Sequence, residues 1–278
     1  MCMKDMEWYR IEPFWESKVS LCVLISCMNQ TDRSIIAKTN IQTDVVVINQ
    51  CNLNKIEEFT FRNSSNNLCR AKIISTTERG LSRSRNMALL NSYGDLCLLC
   101  DDDERLVDDY ENIITSAFDR HRNTDIIAFS LKHPTRRYPN QSMSIGMFRS
   151  ASIGSVQLVI KKSHKLEMVK FCEKMGSGTG NGAGEENKYL VDCLKLGAQI
   201  QYVPNLIAEV QQTNSQWFHG YDRKYWINFG WTSKMIFGYF WGSIYLVYRA
   251  IFRNHKVDKL NSSLSILGWT IKGYLLKR

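Results

Sequence analysis

Apolar runs alternate with segments of helical spacing between residues 19 and 203, and this alternation most constrains the fold. Val19–Met28, Asp44–Asn49 and Leu96–Cys100 are short apolar runs bounded by polar residues, as strands are. Ser82–Ser92, between the second and third of these, has helical spacing and ends before a glycine. Strands that alternate with helices predict an α/β fold with a mostly parallel sheet flanked by helices.

The same pattern predicts further elements along the chain. Residues 132–155 are polar and irregular, which predicts a surface loop. Glu185–Leu196 is predicted as a helix that Gly197 closes. The additional strands are predicted at Ala71–Ser75, Asp125–Leu131, Gln157–Ile160 and Gln199–Val203, the last of them stopped by Pro204.

Three consecutive carboxylates, Asp101-Asp102-Asp103, directly follow the strand predicted at Leu96–Cys100. Crowded carboxylates raise one another's pKa unless a cation neutralises them, and Mg²⁺ or Mn²⁺ bridges such oxygens to substrate phosphates. Open α/β sheets bind ligands beyond the carboxyl ends of their strands. The sequence therefore predicts a metal–diphosphate site at this strand end. The alternative is that these acids cap the helix that follows.

Nine cysteines, an odd number in mostly apolar contexts, predict buried thiols in a reducing compartment. Cys97 and Cys100 lie three residues apart on a strand and face opposite ways, so they cannot share a metal. The N-terminal residues lack the apolar core of a secretory signal. We therefore expect the protein to stay inside the cell.

The positive charge is concentrated near the C-terminus. The net charge is +9, and the residues from Trp217 onward carry ten Lys or Arg against two acids, together with five of the seven tryptophans. A basic, aromatic-rich segment is typical of a surface that contacts anionic lipid, whereas no basic patch surrounds a nucleic-acid recognition motif. We therefore expect an anionic membrane surface, and no nucleic acid, as a partner.

Two apolar segments in this region predict helices. Residues 235–248 hold no charge, but fourteen residues are fewer than the roughly 20 that cross a bilayer. We expect the helices to lie on the membrane. The alternative is a helical pair packed on the rest of the protein. The second helix has an apolar stripe formed by Leu260, Leu264, Leu267, Ile271 and Tyr274.

Four motifs occur in a recognisable order: Ser26-Cys27-Met28-Asn29, Gly80–Leu89, Asp101-Asp102-Asp103 and Gly184-Glu185-Glu186. Together they resemble family 2 glycosyltransferases of the GT-A fold, the inverting enzymes that use nucleotide-diphosphate sugars. The resemblance covers residues 19–220. It implies a hexosyltransferase with Mn²⁺ or Mg²⁺ as its cofactor.

The resemblance also implies a donor site. Asp103 and Asp101 would ligate the metal, and Arg85 would bind diphosphate oxygens, which suits the bidentate geometry of a guanidinium. Many members carry an acid after the second strand, where this chain has Asn49 and Gln50, either amides for the base or turn residues; the identity of the base stays open. The implied nucleotide-sugar contacts are Ser26, Asn29, Asn49, Gln50, Gly80, Arg85, Asn86, Asp101 and Asp102.

The acidic pair Glu185-Glu186 matches the family's catalytic position, where Glu-Asp is commoner. By position Glu186 would be the general base on the acceptor hydroxyl, with Glu185 as the alternative, whereas a structural role would be to complement the helix dipole. The five glycines between 176 and 184 predict a close approach to the sugar or a moving lid. Trp217 is expected to stack on a sugar and His219 to approach the metal.

The sequence thus predicts a GT-A catalytic domain over residues 1–216 and a basic, membrane-associating helical tail over 217–278. The expected donor is a UDP-sugar, and the expected acceptor is a lipid-linked saccharide of bacterial O-antigen, capsule or exopolysaccharide synthesis. The expected location is the cytoplasmic face of the cell membrane. The rival hypotheses are a Mg²⁺-dependent nucleotidyltransferase on a similar fold and a non-catalytic membrane-surface binding module.

Overall fold

The computed structural model describes residues 19–181, 183–211, 220–252 and 261–276. Ten strands in these ranges form one sheet. They are β1 (Leu21–Met28), β2 (Asp44–Gln50), β3 (Lys55–Arg62), β4 (Leu68–Thr76), β5 (Leu96–Asp101), β6 (Glu104–Leu106), β7 (Ile126–Lys132), β8 (Met143–Ser144), β9 (Leu158–Lys161) and β10 (Ile200–Val210). Their order is β3-β4-β2-β1-β5-β9-β7-β10-β6, and β8 pairs with β10.

Helices cover both faces of this sheet and continue beyond it at the C-terminal end. A short 3₁₀ turn, Ser155–Gln157, precedes β9. The helices are α1 (Ser34–Lys38), α2 (Leu81–Asn91), α3 (Tyr110–Arg120), α4 (Met147–Ser150), α5 (His164–Glu167), α6 (Glu185–Lys195), α7 (Arg223–Phe252) and α8 (Ser263–Leu275).

The parallel part of the sheet places four strand ends at one edge. Strands β4, β2, β1 and β5 run parallel, with Ser26 beside Ile48 on one side and Asp101 on the other. Parallel strands end at the same edge, so the last residues of β1, β2 and β5 converge there. This is the edge at which ligands bind in open α/β sheets.

The sheet is mixed, and the prediction of a mostly parallel sheet is wrong. Five of the nine pairings among the described strands are antiparallel. The four-residue strand β9 inserts antiparallel between β5 and β7, and the unpredicted strand β3 forms a hairpin with β4. An apolar run favours a strand but carries no information on its direction, which explains the error.

Strand β10 passes through the proline that was predicted to stop it. It continues from Ile200 to Val210, and its register with β7 shifts between Val203 and Leu206 and again before Ala208. Proline is tolerated in a strand at such irregularities because no ladder hydrogen bond is required of it there. The predicted loop 132–155 likewise contains β8 and α4.

Two apolar layers cover the two faces of the sheet. Cys100 belongs to the layer that includes Ile114 and Phe118 of α3, and Cys97 belongs to the opposite layer, which includes Tyr189 and Leu190 of α6. The two cysteines therefore face opposite ways, as their spacing predicts. All eight described cysteines are free thiols.

Helix α7 is interrupted at Gly238, whose φ of 76° and ψ of −175° lie outside the helical region. Its first half packs into the molecule: Trp231, Ile236 and Phe237 form an apolar cluster with Met175 and with Val191 of α6.

Helix α8 packs against the first half of α7 through glycines on both helices. A Cβ added at Gly230 would overlap the carbonyl of Thr270, and one at Gly273 would overlap the carbonyl of Ile227. None of the described helices has the length and apolar character needed to cross a membrane.

Candidate active site

The predicted carboxylates lie at the converging strand ends. Asp101 ends β5, and Asp102 and Asp103 form the turn to β6. Burial raises the pKa of Asp101 and of Asp103, and for Asp101 the Arg85 guanidinium opposes this rise while Asp103 adds to it. Helix α3 begins only at Tyr110, with Asp109 at its N-cap position. The three acids therefore do not cap that helix.

Arg85 of α2 links this edge to α6. Its side chain is 3% exposed; Nη1 donates to Glu185 Oε1 at 2.8 Å, and Nη2 donates to Ser155 Oγ at 2.7 Å and to Asp101 Oδ1 at 3.4 Å. A charge can be buried at this depth because opposite charges pair with it. Burial alone would lower the pKa of Arg85, but the carboxylates of Asp101 and Glu185 outweigh it and raise the pKa. The residue expected on the diphosphate thus lies beneath the surface and holds the carboxylates in place.

The two acids that open α6 have different surroundings. Glu185 is 4% exposed, and besides its ion pair with Arg85 it accepts a hydrogen bond from the Gly184 amide through Oε2 at 3.1 Å. Glu186 lines an open cleft. Burial and then the nearby Glu185 carboxylate raise the pKa of Glu186 to about 8. Of the pair, Glu186 is therefore the carboxylate that can exchange a proton with a molecule in the cleft.

The cleft lies between the glycine-rich segment, the start of α6 and the first half of α7, and its volume is about 730 Å³. It combines carboxylate, amide and aromatic side chains, the mixture expected of a small-molecule site. Residues that line it include Glu186, Asn187, Asn228, Phe229, Thr232 and Tyr245.

The glycine-rich segment packs closely on the site at its first residue. Gly176 has a φ of +94°, and a Cβ there would lie 3.0 Å from Glu185 Cδ and 3.2 Å from Ser82 Oγ. Ser82 Oγ donates to the Met175 carbonyl at 2.8 Å, which anchors the segment to α2. Only glycine combines this backbone conformation with this close approach.

The predicted base-contacting amides connect loops at the strand edge. Asn49 Nδ2 donates to the Gln30 carbonyl and Asn49 Oδ1 accepts from the Gln30 amide, both at 2.9 Å. Gln50 Oε1 accepts from the Gly80 amide at 2.7 Å. The amides therefore order the loops after β1 and before α2, whose Gly80 has a φ of +119°.

Three other predicted contacts differ in exposure. Asn29 is exposed at the end of β1 with a φ of 54°. Ser26 is buried, with its Oγ 2.7 Å from Ser84 Oγ. Asn86 binds the backbone of Phe171, donating to its carbonyl at 3.0 Å and accepting from its amide at 2.8 Å. Two of the three thus hold the framework together.

Trp217 and His219, the predicted sugar and metal contacts, lie outside the described residues. The structure brings two further residues to the site that sequence reasoning missed. Ser155 binds Arg85, and Glu104 is 2% exposed beneath the carboxylate turn, where its Oε2 accepts from the Asp101 amide at 3.2 Å. The sequence Glu104-Arg105-Leu106 has two adjacent charged residues and gave no signal that Glu104 is buried; the alternation of buried, exposed and buried residues appears only in the structure.

The carboxylate turn suits a hard divalent cation in its donor chemistry. Asp101 and Asp103 offer oxygen ligands, and both have a raised pKa that a cation would offset. Within the described ranges no three His, Cys, Asp or Glu side chains come together as a metal cage. Mg²⁺ commonly takes one or two protein carboxylates and completes its shell with substrate phosphates and water. Asp101 and Asp103 therefore fit such an ion.

Comparisons with known proteins agree with this architecture. Residues 26–180 match the family described as Glycosyl transferase family 2. Among solved structures, S. aureus TarS 1–349 has a TM-score of 0.57 at 13% identity, over 92% of this chain and 81% of that one. Its complex with UDP-GlcNAc has a TM-score of 0.58 at 15% identity, over 87% and 74%.

A third solved structure is that of a mannosyltransferase. The mannosyltransferase PcManGT from Pyrobaculum calidifontis, in complex with GDP-Man and Mn²⁺, has a TM-score of 0.52 at 13% identity, over 96% of this chain and 77% of that one. No curated protein sequence matches the chain. At these identities the solved structures show a common fold.

Proposed function

Because the chain belongs to glycosyl transferase family 2 and is a glycosyltransferase, we propose that it moves a hexosyl group from a nucleoside-diphosphate sugar to a saccharide with inversion. The observation that carries the proposal is the position of Glu186. It lines a cleft large enough for a sugar, and its neighbour Glu185 is joined through Arg85 to the carboxylate turn. The proposed proton acceptor is thus the sequence neighbour of a residue that Arg85 ties to the carboxylate turn.

In the proposed reaction Glu186 acts as the general base. Its carboxylate takes the proton of the acceptor hydroxyl, and that oxygen forms a bond to the anomeric carbon of the donor. The bond from the anomeric carbon to the diphosphate oxygen breaks on the opposite face, and its electron pair leaves with the nucleoside diphosphate. The proton remains on Glu186, whose raised pKa suits this task.

The remaining residues position these groups. Arg85 holds the carboxylates of Glu185 and Asp101 in place through its hydrogen bonds. Asn49 and Gln50 fix the loops beside the expected nucleotide. Asp101 and Asp103 would hold Mn²⁺ or Mg²⁺, which when bound would neutralise charge on the departing diphosphate. Family membership favours this chemistry over nucleotidyl transfer.

The proposed donor is a UDP-sugar and the proposed acceptor a lipid-linked saccharide. Structures that share this fold were solved with UDP-GlcNAc and with GDP-Man, which supports a nucleotide-sugar donor. The basic, aromatic-rich residues 217–278 support an acceptor held at a membrane. The protein would then act at the cytoplasmic face of a bacterial membrane, in O-antigen, capsule or exopolysaccharide synthesis.

A thermal-shift panel tests the donor site. UDP, GDP, CDP and dTDP are each added with and without Mn²⁺ to the wild type, to Asp103→Ala and to the control Asp119→Ala, whose carboxylate is exposed on α3. A ligand that binds the native state raises its melting temperature. We expect metal-dependent stabilisation by UDP that Asp103→Ala loses and Asp119→Ala keeps. Failure of every nucleotide to stabilise folded wild-type protein would refute the donor site.

A further inference from the structure

The second half of α7, residues 239–252, exposes an apolar surface. Seven large apolar side chains there are between 43% and 69% exposed. The sequence of this half contains one charged residue, Arg249. Exposed apolar patches of this kind mark interaction sites, since single exposed apolar residues are ordinary but a contiguous group is not. The seven residues, here called the apolar face, are Tyr239, Phe240, Trp241, Ile244, Val247, Tyr248 and Phe252.

Helix α8 contributes a second exposed apolar stripe. Leu264, Ile271 and Leu275 are 82%, 47% and 70% exposed. They are spaced by seven and four residues, which places them on one side of the helix. The opposite side, with Ile266 and Thr270, is buried. Leu264 and Ile271, which belong to the apolar stripe predicted for α8, are therefore exposed and do not pack on the protein.

The apolar face continues to the rim of the cleft. The ring of Trp241 lies 5.1 Å from that of Phe240 and 5.9 Å from that of Phe148, between centroids, and Phe148 on α4 is itself 44% exposed. Phe148 in turn lies 5.6 Å from Phe237 and 6.3 Å from Tyr245, which line the cleft. A chain of aromatic rings therefore connects the outer face to the cleft.

The charge of residues 217–278 indicates which kind of partner covers the apolar face. Residues 217–278 carry ten Lys or Arg against two acids, so two copies of this region would repel each other, whereas an anionic surface would attract it. An aromatic apolar surface combined with basic residues is typical of segments that lie in the interface of a bilayer with anionic lipids. A crossing is not required, because the helix needs to bury one side only.

We propose that the apolar face, together with Phe148, docks on an anionic lipid bilayer and sets the cleft beside the headgroups. The docking stands on the exposed residues and the charge. That the docked protein receives a lipid-linked acceptor there rests on the proposed function. Aromatic side chains at the headgroup level would then continue directly into the cleft wall.

Vesicle flotation of the full chain tests the docking without any assay of transfer. The probes are vesicles of phosphatidylcholine alone and of phosphatidylcholine with phosphatidylglycerol. We expect binding to the anionic vesicles that falls at high salt. Replacement of Phe240 and Trp241 together by Ser should weaken the partition by about tenfold or more, since two exposed aromatic groups would no longer enter the interface.

The control removes two apolar residues elsewhere that are even more exposed. Leu90→Ser with Met168→Ser, at residues that are 85% and 84% exposed, should leave vesicle binding unchanged. The pair Ile244→Ser and Val247→Ser, on the next turns of α7, provides a second test if the first variant melts early. Equal binding of wild type and both α7 variants would overturn the proposal. So would a wild-type dimer that the α7 variants convert to monomer, because a second copy would then be the partner.

UDP binding, measured by thermal shift beside the flotation assay, separates this inference from the proposed function. If docking is right, the α7 variants lose vesicle binding but keep UDP binding. If the proposed function fails and the docking does not, UDP fails to stabilise any variant while the flotation difference persists.

Discussion

The two sides of the first turn of α6 show how one residue type can hold a structure or perform chemistry. On one side Glu185 is buried and paired with Arg85, which also holds Asp101. On the other side Glu186 faces a cleft, and its pKa is raised to about 8 by burial and by Glu185. Consecutive helical residues point in different directions, so adjacent carboxylates acquire different environments. The paired acid supports the framework, and the other is available to a substrate.

The sharpest test of this difference is Glu186→Gln. The amide keeps the shape but cannot accept the proton, so we expect nucleotide release in the presence of acceptor to fall by about 10²–10⁴-fold. UDP binding should be retained, and the variant should melt no lower than the wild type. Transfer at wild-type rates by Glu186→Gln would move the role of base to another residue.

The test for the buried acid, Glu185, is Arg85→Ala, which removes its partner and should mainly lower the free energy of unfolding. It leaves two carboxylates, Glu185 and Asp101, without their buried cation, and we expect a loss of about 3–5 kcal/mol in the free energy of unfolding, measured by urea denaturation. Arg83→Ala is the control. Its ion pair with Glu173 is half exposed on both sides, so its loss should cost about 0–1 kcal/mol. Similar losses of unfolding free energy in the two variants would show that the buried ion pairs of Arg85 contribute no more to stability than an exposed pair does.

A smaller effect is expected where the glycine-rich segment contacts Glu185. Gly176→Ala would place a methyl group against that carboxylate, and overpacking of this kind costs about 1–3 kcal/mol. Gly180→Ala separates contact from backbone strain, because Gly180 also has a positive φ, of +74°, but a Cβ there meets no atom within 4 Å. Both variants are compared by urea denaturation. If Gly180→Ala is destabilised as much as Gly176→Ala, strain alone explains the effect.

The last prediction concerns the pH dependence of rate and stability. Glu186 must be ionised to act as a base, so kcat/KM should rise with pH until about 8 and then level off. Stability should change in the opposite sense. The folded pKa lies above the ordinary value of 4.5, so the unfolded state releases its proton first and stability falls as pH rises from 4.5 to about 8. Thermal melts across this range should show a shallower fall in Glu186→Gln than in wild type.

Local patterns predicted the site's components, and distant contacts decided their roles. The carboxylates after β5 and the acids at the start of α6 follow from neighbouring residues, and the structure has both where they were expected. Arg85 was expected to bind diphosphate oxygens, but in the structure it pairs with Asp101 and Glu185, which lie 16 and 100 residues away in the chain. No local pattern records such pairing, so the burial of Arg85 could not be foreseen.

The errors in the sheet have a related cause. The sequence of β3, Lys55–Arg62, lies at the edge of the sheet, and the adjacent acids Glu57 and Glu58 interrupt the polar–apolar alternation that would have indicated a strand. Strand β9 was found, but its direction depends on the neighbours β5 and β7 rather than on its own residues. Pairing with strands that are distant in the sequence therefore set the direction of β9, which its own residues left undetermined.

The close approach of Gly230 to Thr270 and of Gly273 to Ile227 has a mechanical consequence. With backbone against backbone and no side chain between them, the two helices cannot slide or tilt independently. A displacement of α8 must carry the first half of α7 with it, and that half forms one wall of the cleft. The width of the cleft therefore depends on the position of α8, although none of the residues of α8 lines it.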